Sequence, residues 1–134
     1  MPGRSLLIID NDRDLVDLLA FYFEEHGYAV ETAIDGHTGV ALAQLRKPDV
    51  VICDIVMDRM HGFEVIQKLR GRPELAGMTI IMLSAKAHKS DIDRARALGA
   101  DHFLVKPFRC DDLLRTVEAG AAVTAPSPLT ASSA

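Results

Sequence analysis

Short apolar runs alternate along this chain with longer stretches in which apolar positions recur every three or four residues. Four of the runs close on a polar group: Leu6-Leu7-Ile8-Ile9 on Asp10, Val50-Val51-Ile52-Cys53 on Asp54, Ile80-Ile81-Met82-Leu83 on Ser84, and Phe103-Leu104-Val105 on Lys106. With a further β-rich run at 28–33, they predict strands over 5–10, 28–33, 49–54, 79–84 and 101–106. Strands that each end in a polar group point to a parallel sheet presenting chemistry along one edge. In open α/β sheets, ligands bind at that edge, outside the carboxyl ends of the strands.

The intervening stretches read as helices. The first, about 12–26, places Leu15, Leu18, Leu19, Tyr22 and Phe23 at i, i+3, i+4, i+7 and i+8, which predicts one apolar face. Gly27 is placed to cap its end. The second, about 37–45, stops before Lys47-Pro48. Gly62 opens the third, with Val65, Ile66 and Leu69 inward. Ser90 with Asp91 and Asp93 predicts the start of the fourth, because acidic groups suit the positive end of a helix, and Gly99 its end. Asp111-Asp112 begin the fifth, with Leu113, Leu114 and Val117 inward. Strands alternating with helices argue for βαβ units in an α/β fold. From Gly120 the composition turns to uncharged Ala, Ser, Thr and Pro, so the expected division is a domain over 1–119 and a flexible tail or linker over 120–134.

Composition narrows the function classes. At 134 residues, 49% hydrophobic and 25% charged, the chain suits a single soluble domain that buries roughly two-thirds of its unfolded surface. A net charge of -4 gives no basic footprint, which argues against direct nucleic-acid binding. No apolar stretch approaches the ~18 residues that span a bilayer. The opening Met1-Pro2-Gly3-Arg4-Ser5 lacks a signal-peptide core, so no membrane association and a cytoplasmic location are expected. Two cysteines, Cys53 and Cys110, are too few for a disulfide framework and read as packing residues. None of the five histidines has metal-ligand spacing.

The candidate chemistry lies at the strand ends. If strands one and three are neighbours, Asp10 and Asp54 converge, with Asp12 just beyond. Like charges ~4 Å apart repel by ~4 kcal/mol at an effective dielectric near 20, so such a pair calls for a cation. A hard divalent ion with oxygen ligands, Mg²⁺, is the natural choice. Lys106 adds a fixed positive charge and Ser84 a hydroxyl. Together they form a site for a dianionic group, in which a carboxylate can act as nucleophile toward a phosphoryl donor. Singly, each residue has a plainer role: a strand-end Asp is usually a turn former, Asp12 a cap of the first helix, Ser84 a buried hydroxyl and Lys106 a solvated charge. The joint pattern favours the site.

That pattern resembles the receiver domain of two-component response regulators, over roughly residues 5–119. It is carried by Asp10-Asn11-Asp12 after strand one, Asp54 after strand three, a D-x-x-M-x-x-x-x-G run from Asp54 to Gly62, Ser84-Ala85 after strand four, and Lys106-Pro107-Phe108 after strand five. The resemblance implies a flavodoxin-like, doubly wound five-stranded parallel sheet of order 2-1-3-4-5 with five helices. It implies Asp54 as phosphoacceptor, taking a phosphoryl group from the phosphohistidine of a sensor histidine kinase or phosphotransfer protein. Ser84, Lys106 and the backbone N–H of Val56 and Ala85 would contact that group. Mg²⁺ (or Mn²⁺) would be held by Asp10, Asn11, Asp54 and the Val56 carbonyl, with Asp12 as a further candidate. A cis Lys106-Pro107 bond is implied too. Phe103 would be an aromatic switch: on phosphorylation Ser84 moves toward the phosphoryl and the ring turns inward, remodelling the surface of helix four, strand five and helix five. That surface would control an output protein or domain, and is where a homodimer would form. The protein would not be an enzyme beyond phosphorylating and dephosphorylating itself.

Two residues depart from the family pattern. Asn11 stands where a second acid is usual, a change expected to weaken Mg²⁺ binding by roughly one to two decades unless Asp12 compensates. Asp58 stands where proline is common, and would either loosen the loop or bring another carboxylate near the metal. The apolar side chain of Val56 cannot position a hydrolytic water, so slow autodephosphorylation is expected. Two other classes compete. A haloacid-dehalogenase-type phosphatase would use Asp10 as nucleophile and Asp12 as acid/base, but Arg13-Asp14 replace its usual Gly-Thr and Asp54 is left unexplained. A phosphorylation-independent interaction module would account for Asn11 but not for the retained Asp54, Ser84 and Lys106.

Overall fold

A computed structural model describes residues 4–57 and 60–122 of the chain, without the side chains of 120–122. The elements are β1 (Ser5–Ile9), α1 (Arg13–Glu25), β2 (Ala29–Ala33), α2 (Gly36–Arg46), β3 (Val50–Asp54), α3 (Gly62–Arg70), β4 (Thr79–Ser84), α4 (Lys89–Leu98), β5 (His102–Val105) and α5 (Cys110–Ala122). A single 3-10 turn, Pro73–Leu75, precedes β4. All pairings are parallel and the strand order is β2-β1-β3-β4-β5, the doubly wound order expected. The register sets Ile9 beside Cys53, Asp54 beside Leu83 and Ser84 beside Val105. The four polar strand ends therefore lie along one edge.

Because side chains alternate across a strand, each strand feeds two cores. On one face Leu7, Ile9, Val51, Ile80, Met82 and Phe103 pack with Val40 and Ala43 of α2, Val65, Ile66 and Leu69 of α3, and Ala95 of α4. On the other, Leu6, Ile8, Val50, Ile52, Ile81, Leu83 and Leu104 meet Val16, Leu19 and Phe23 of α1 and Leu113 and Val117 of α5. Burying each large apolar side chain stabilises the fold by about 1.5–3 kcal/mol. The two cores differ in composition. Met57, Met60, Met78 and Met82 all belong to the first, whereas the second has no methionine.

Three sequence expectations need correction. The buried stripe of α1 is Val16, Leu19 and Phe23, with Leu15 and Tyr22 at its margins; Leu18 is 54% exposed. At 100° per residue Leu18 falls nearly opposite that stripe, and α1 holds more apolar residues than one face can take. Helix α4 starts at Lys89, with His88 as its N-cap and no side-chain capping bond, so Ser90 lies inside the first turn. Helix α5 runs on through Gly120 to Ala122; the remainder of the expected tail lies outside the described residues. Gly27 follows the end of α1 with φ +89, the left-handed geometry that glycine adopts without strain.

Candidate functional site

β1 delivers Asp10 to the carboxyl edge with no exposed surface, and its carboxylate is fixed from two sides. Oδ2 accepts a hydrogen bond from Lys106 Nζ at 2.9 Å, and Oδ1 accepts the backbone N–H of Asp12 at 2.9 Å. On the adjacent β3, Asp54 is 6% exposed, and its Oδ1 lies 3.4 Å from the same Lys106 ammonium. Lys106, at the end of β5, reaches across to both carboxylates, on strands two and three places away, and the bond to Pro107 is cis. Ser84 closes β4, buried, and its Oγ accepts the N–H of Lys86 at 3.1 Å. Ala85 beside it is exposed.

The electrostatics follow from burying two acids beside one base. Desolvation, then the charge of Asp10, raise the Asp54 carboxyl above its ordinary value, with Lys106 pulling the other way. Burial works against the Lys106 ammonium. The hydrogen bond and charge of Asp10, aided by Asp54, overcome that penalty and raise its pKa. The pocket thus holds more negative charge than one ammonium offsets.

The start of α3 packs closely against the residues that end β3. Gly62 donates to the carbonyl of Ile55 at 2.7 Å, and a Cβ there would meet Asp54 O at 2.5 Å and Ile55 Cα at 2.7 Å. Only glycine lets α3 begin against the back of the phosphoacceptor candidate. The Val56 side chain is 67% exposed at the mouth of the site. Asp58, a carboxylate considered for the metal, lies outside the described residues.

Among the described residues, no group of three or more His, Cys, Asp or Glu is arranged to hold a metal ion. The structure brings together the Asp10 and Asp54 carboxylates, both on Lys106. That pair fits Mg²⁺, which binds through one or two carboxylates and keeps several waters. The carboxylate of Asp12 is turned to other use: it N-caps α1, its Oδ1 accepting the N–H of Leu15 at 3.2 Å. Phe103 also departs from expectation. The ring is already inward, 2% exposed and packed in the methionine-bearing core. A phenylalanine has no hydroxyl to hold it at the surface, so burial prevails. Two contacts escaped sequence reading, the Asp12 N–H on Asp10 and the Lys86 N–H on Ser84. Both are made by main-chain groups, which carry no residue-type signal.

Comparison with known proteins places this geometry. Residues 6–118 match the response regulator receiver domain family. The chain is 37% identical over 114 residues to the DNA-binding dual master transcriptional regulator RpaA of Synechocystis, an alignment covering 85% of this chain and 47% of that protein. It therefore spans about half the length of that curated relative. Among solved structures, the chemotaxis response regulator CheY4 of Vibrio cholerae superposes with a TM-score of 0.83 at 32% identity, covering 87% of this chain and 98% of that one. A CheY-like receiver domain protein of Methanospirillum hungatei gives a TM-score of 0.85 at 27% identity, covering 90% and 94%. No helix among the described residues is long and apolar enough to cross a membrane. With the 2-1-3-4-5 sheet and its aligned polar strand ends, these matches establish that the chain belongs to the response regulator receiver domains of two-component systems.

Proposed function

We propose that Asp54 accepts a phosphoryl group from the phosphohistidine of a sensor histidine kinase or phosphotransfer protein. The observation that carries this reading is the single ammonium of Lys106 set between Asp10 and Asp54, 2.9 and 3.4 Å away. In the transfer, an Asp54 carboxylate oxygen attacks phosphorus. The new P–O bond forms as the P–N bond breaks, and the imidazole leaves with the electron pair. Lys106, the Ser84 hydroxyl and the N–H groups of Val56 and Ala85 offset charge on the phosphoryl oxygens. Mg²⁺ or Mn²⁺, held by Asp10, Asn11, Asp54 and the Val56 carbonyl, would supply further positive charge there.

The signal is then a repacking. Ser84 shifts toward the phosphoryl group, and the buried Phe103 adjusts among its neighbours. Methionine side chains are unbranched and adaptable, and four of them share that core, which suits a ring that must move without leaving the interior. The affected surface is α4, β5 and α5, where an output protein or domain, or a second copy, would be controlled. The receiver unit is residues 1–119, extended by the last residues of α5 to Ala122.

Intact-mass spectrometry after incubation with acetyl phosphate and Mg²⁺ tests the reading. A phosphoryl adduct is expected on the wild type and absent from Asp54→Asn. No adduct at high Mg²⁺, and no response to beryllofluoride, would instead identify a phosphorylation-independent interaction module.

A further inference from the structure

We infer that Asp12 is a positioning residue for Asp10 and not a metal ligand. The sequence left both roles open, since Asn11 removes one acid and Asp12 is the nearest replacement. Three contacts favour the positioning role. Asp12 Oδ1 accepts the Leu15 N–H at 3.2 Å, and the Asp12 main-chain carbonyl accepts the Val16 N–H at 3.0 Å, so one side-chain oxygen and the main-chain oxygen serve the first turn of α1. Its own N–H, which points back from that turn, bonds Asp10 Oδ1 at 2.9 Å. The cap ties residue 12, extended at φ -85 and ψ 98, to the start of α1, and with it the peptide whose N–H bonds Asp10.

Asp10 has no exposed surface and accepts from Lys106 through its other oxygen. With one oxygen on a side-chain ammonium and the other on a main-chain N–H, its carboxylate plane is set before any ligand arrives. Preorganisation of this kind lets a site bind without first freezing its donors. The site then has two carboxylates for a metal, and Asp12 does not make up the charge absent at Asn11.

This inference rests on the phosphoacceptor reading only for its metal arm. Two variants separate the roles. Asp12→Ala removes the cap and the carboxylate together; Asp12→Asn removes only the charge, because Asn caps helices as well as Asp. The first readout is the amide proton resonance of residue 12 without metal or phosphoryl donor. It is expected to shift upfield in Asp12→Ala, as its bond to the Asp10 carboxylate loosens, and to be restored in Asp12→Asn. The second is the Mg²⁺ dissociation constant from calorimetry, expected to rise about fivefold in Asp12→Ala and to be restored by Asn to within about twofold. Val117→Ala, in the core away from the site, controls for general destabilisation and should move neither.

Equal loss of Mg²⁺ affinity in Asn and Ala would make Asp12 a ligand and overturn the inference. So would an unchanged amide resonance in Asp12→Ala. If the wild type bound no Mg²⁺, the metal reading would fall while the amide resonance still decided the role of Asp12.

Discussion

Lys106 makes its shorter contact with Asp10, not with Asp54: the ammonium lies 2.9 Å from Asp10 Oδ2 and 3.4 Å from Asp54 Oδ1. Asp10 is fully buried and Lys106 only partly so. The base thus neutralises the deeper acid and leaves the phosphoacceptor candidate less compensated. Removing it by Lys106→Met would leave a buried carboxylate without its partner ion. Loss of one member of a buried pair costs up to about 3–5 kcal/mol, and the partial exposure of Lys106 brings the expected loss at pH 7 to about 1–3 kcal/mol. Urea unfolding measures it. The deficit should shrink on acidification, because protonation relieves an unpaired buried carboxylate; a deficit independent of pH would show that packing, not charge, was lost.

Asp54 itself is expected to destabilise the metal-free protein at neutral pH. Burial and then the charge of Asp10 raise its carboxyl above the ordinary 3.8. An acid raised in the folded state contributes stability that is complete below the unfolded value and lost as pH rises through the folded one. Asp54→Asn is therefore expected to be more stable than wild type at pH 7, by on the order of 1 kcal/mol, the size of one screened like-charge contact. The advantage should shrink as pH falls through the raised folded value and be gone below the ordinary carboxylate value. Mg²⁺ should reverse the order by binding the wild type, since a ligand stabilises the state it binds.

Much of this site could be read from the sequence because its elements are parallel strands. Each apolar run had to end somewhere, the sheet put those ends on one edge, and Asp10, Asp54, Ser84 and Lys106 were the residues standing there. The sheet order followed from the family motifs. What escaped was set by tertiary context. Leu18 and Leu19 are the same residue type, and only the approach of the sheet decides that Leu19 is buried and Leu18 exposed. His61 caps α3 by accepting the Phe63 N–H through Nδ1, a role no capping preference assigns to histidine. Asp101 read as part of a strand, yet it stands before β5, where its carboxylate accepts the Ile80 N–H and the Arg70 guanidinium.

Gly62 tests how closely α3 must approach the site. A Cβ would lie 2.5 Å from the Asp54 carbonyl and 2.7 Å from Ile55 Cα, both main-chain atoms that cannot swing aside. Gly62→Ala is expected to destabilise by about 1–3 kcal/mol, the usual range for overpacking, despite the better helix propensity of alanine. The strain falls on the residues that follow the phosphoacceptor, so the rate of labelling by acetyl phosphate should fall more than stability alone explains. Gly77→Ala is the control, since nothing lies within 4 Å of a Cβ there. Thermal midpoints and labelling rates for the two variants, measured side by side, check it.

The link between α1 and α5 makes a prediction at the opposite end of the pH scale. The Tyr22 hydroxyl donates to Asp111 Oδ1 at 2.5 Å, across the seam between the two helices. That hydrogen bond is the main cause raising the Tyr22 phenol to about 12, and it also lowers the Asp111 carboxyl. For Tyr22 the bond stabilises the fold fully below the unfolded value near 10 and is lost as pH rises through about 12. For Asp111, lowered in the folded state, the contribution is present above the unfolded carboxyl value and lost as pH falls. Tyr28 is also raised, through burial first and the charge of Glu118 second, so neither of the chain's two tyrosines should ionise at its ordinary pH. Ultraviolet titration of the folded wild type should therefore show phenolate appearing later than in the unfolded chain, with Tyr22 ionising only near about 12. Asp111→Asn should move one tyrosine's phenolate signal to lower pH and leave Tyr28 as it was. Were Asp111→Asn to titrate like the wild type, burial alone would be holding the Tyr22 proton, and the α1–α5 seam would owe nothing to this pair.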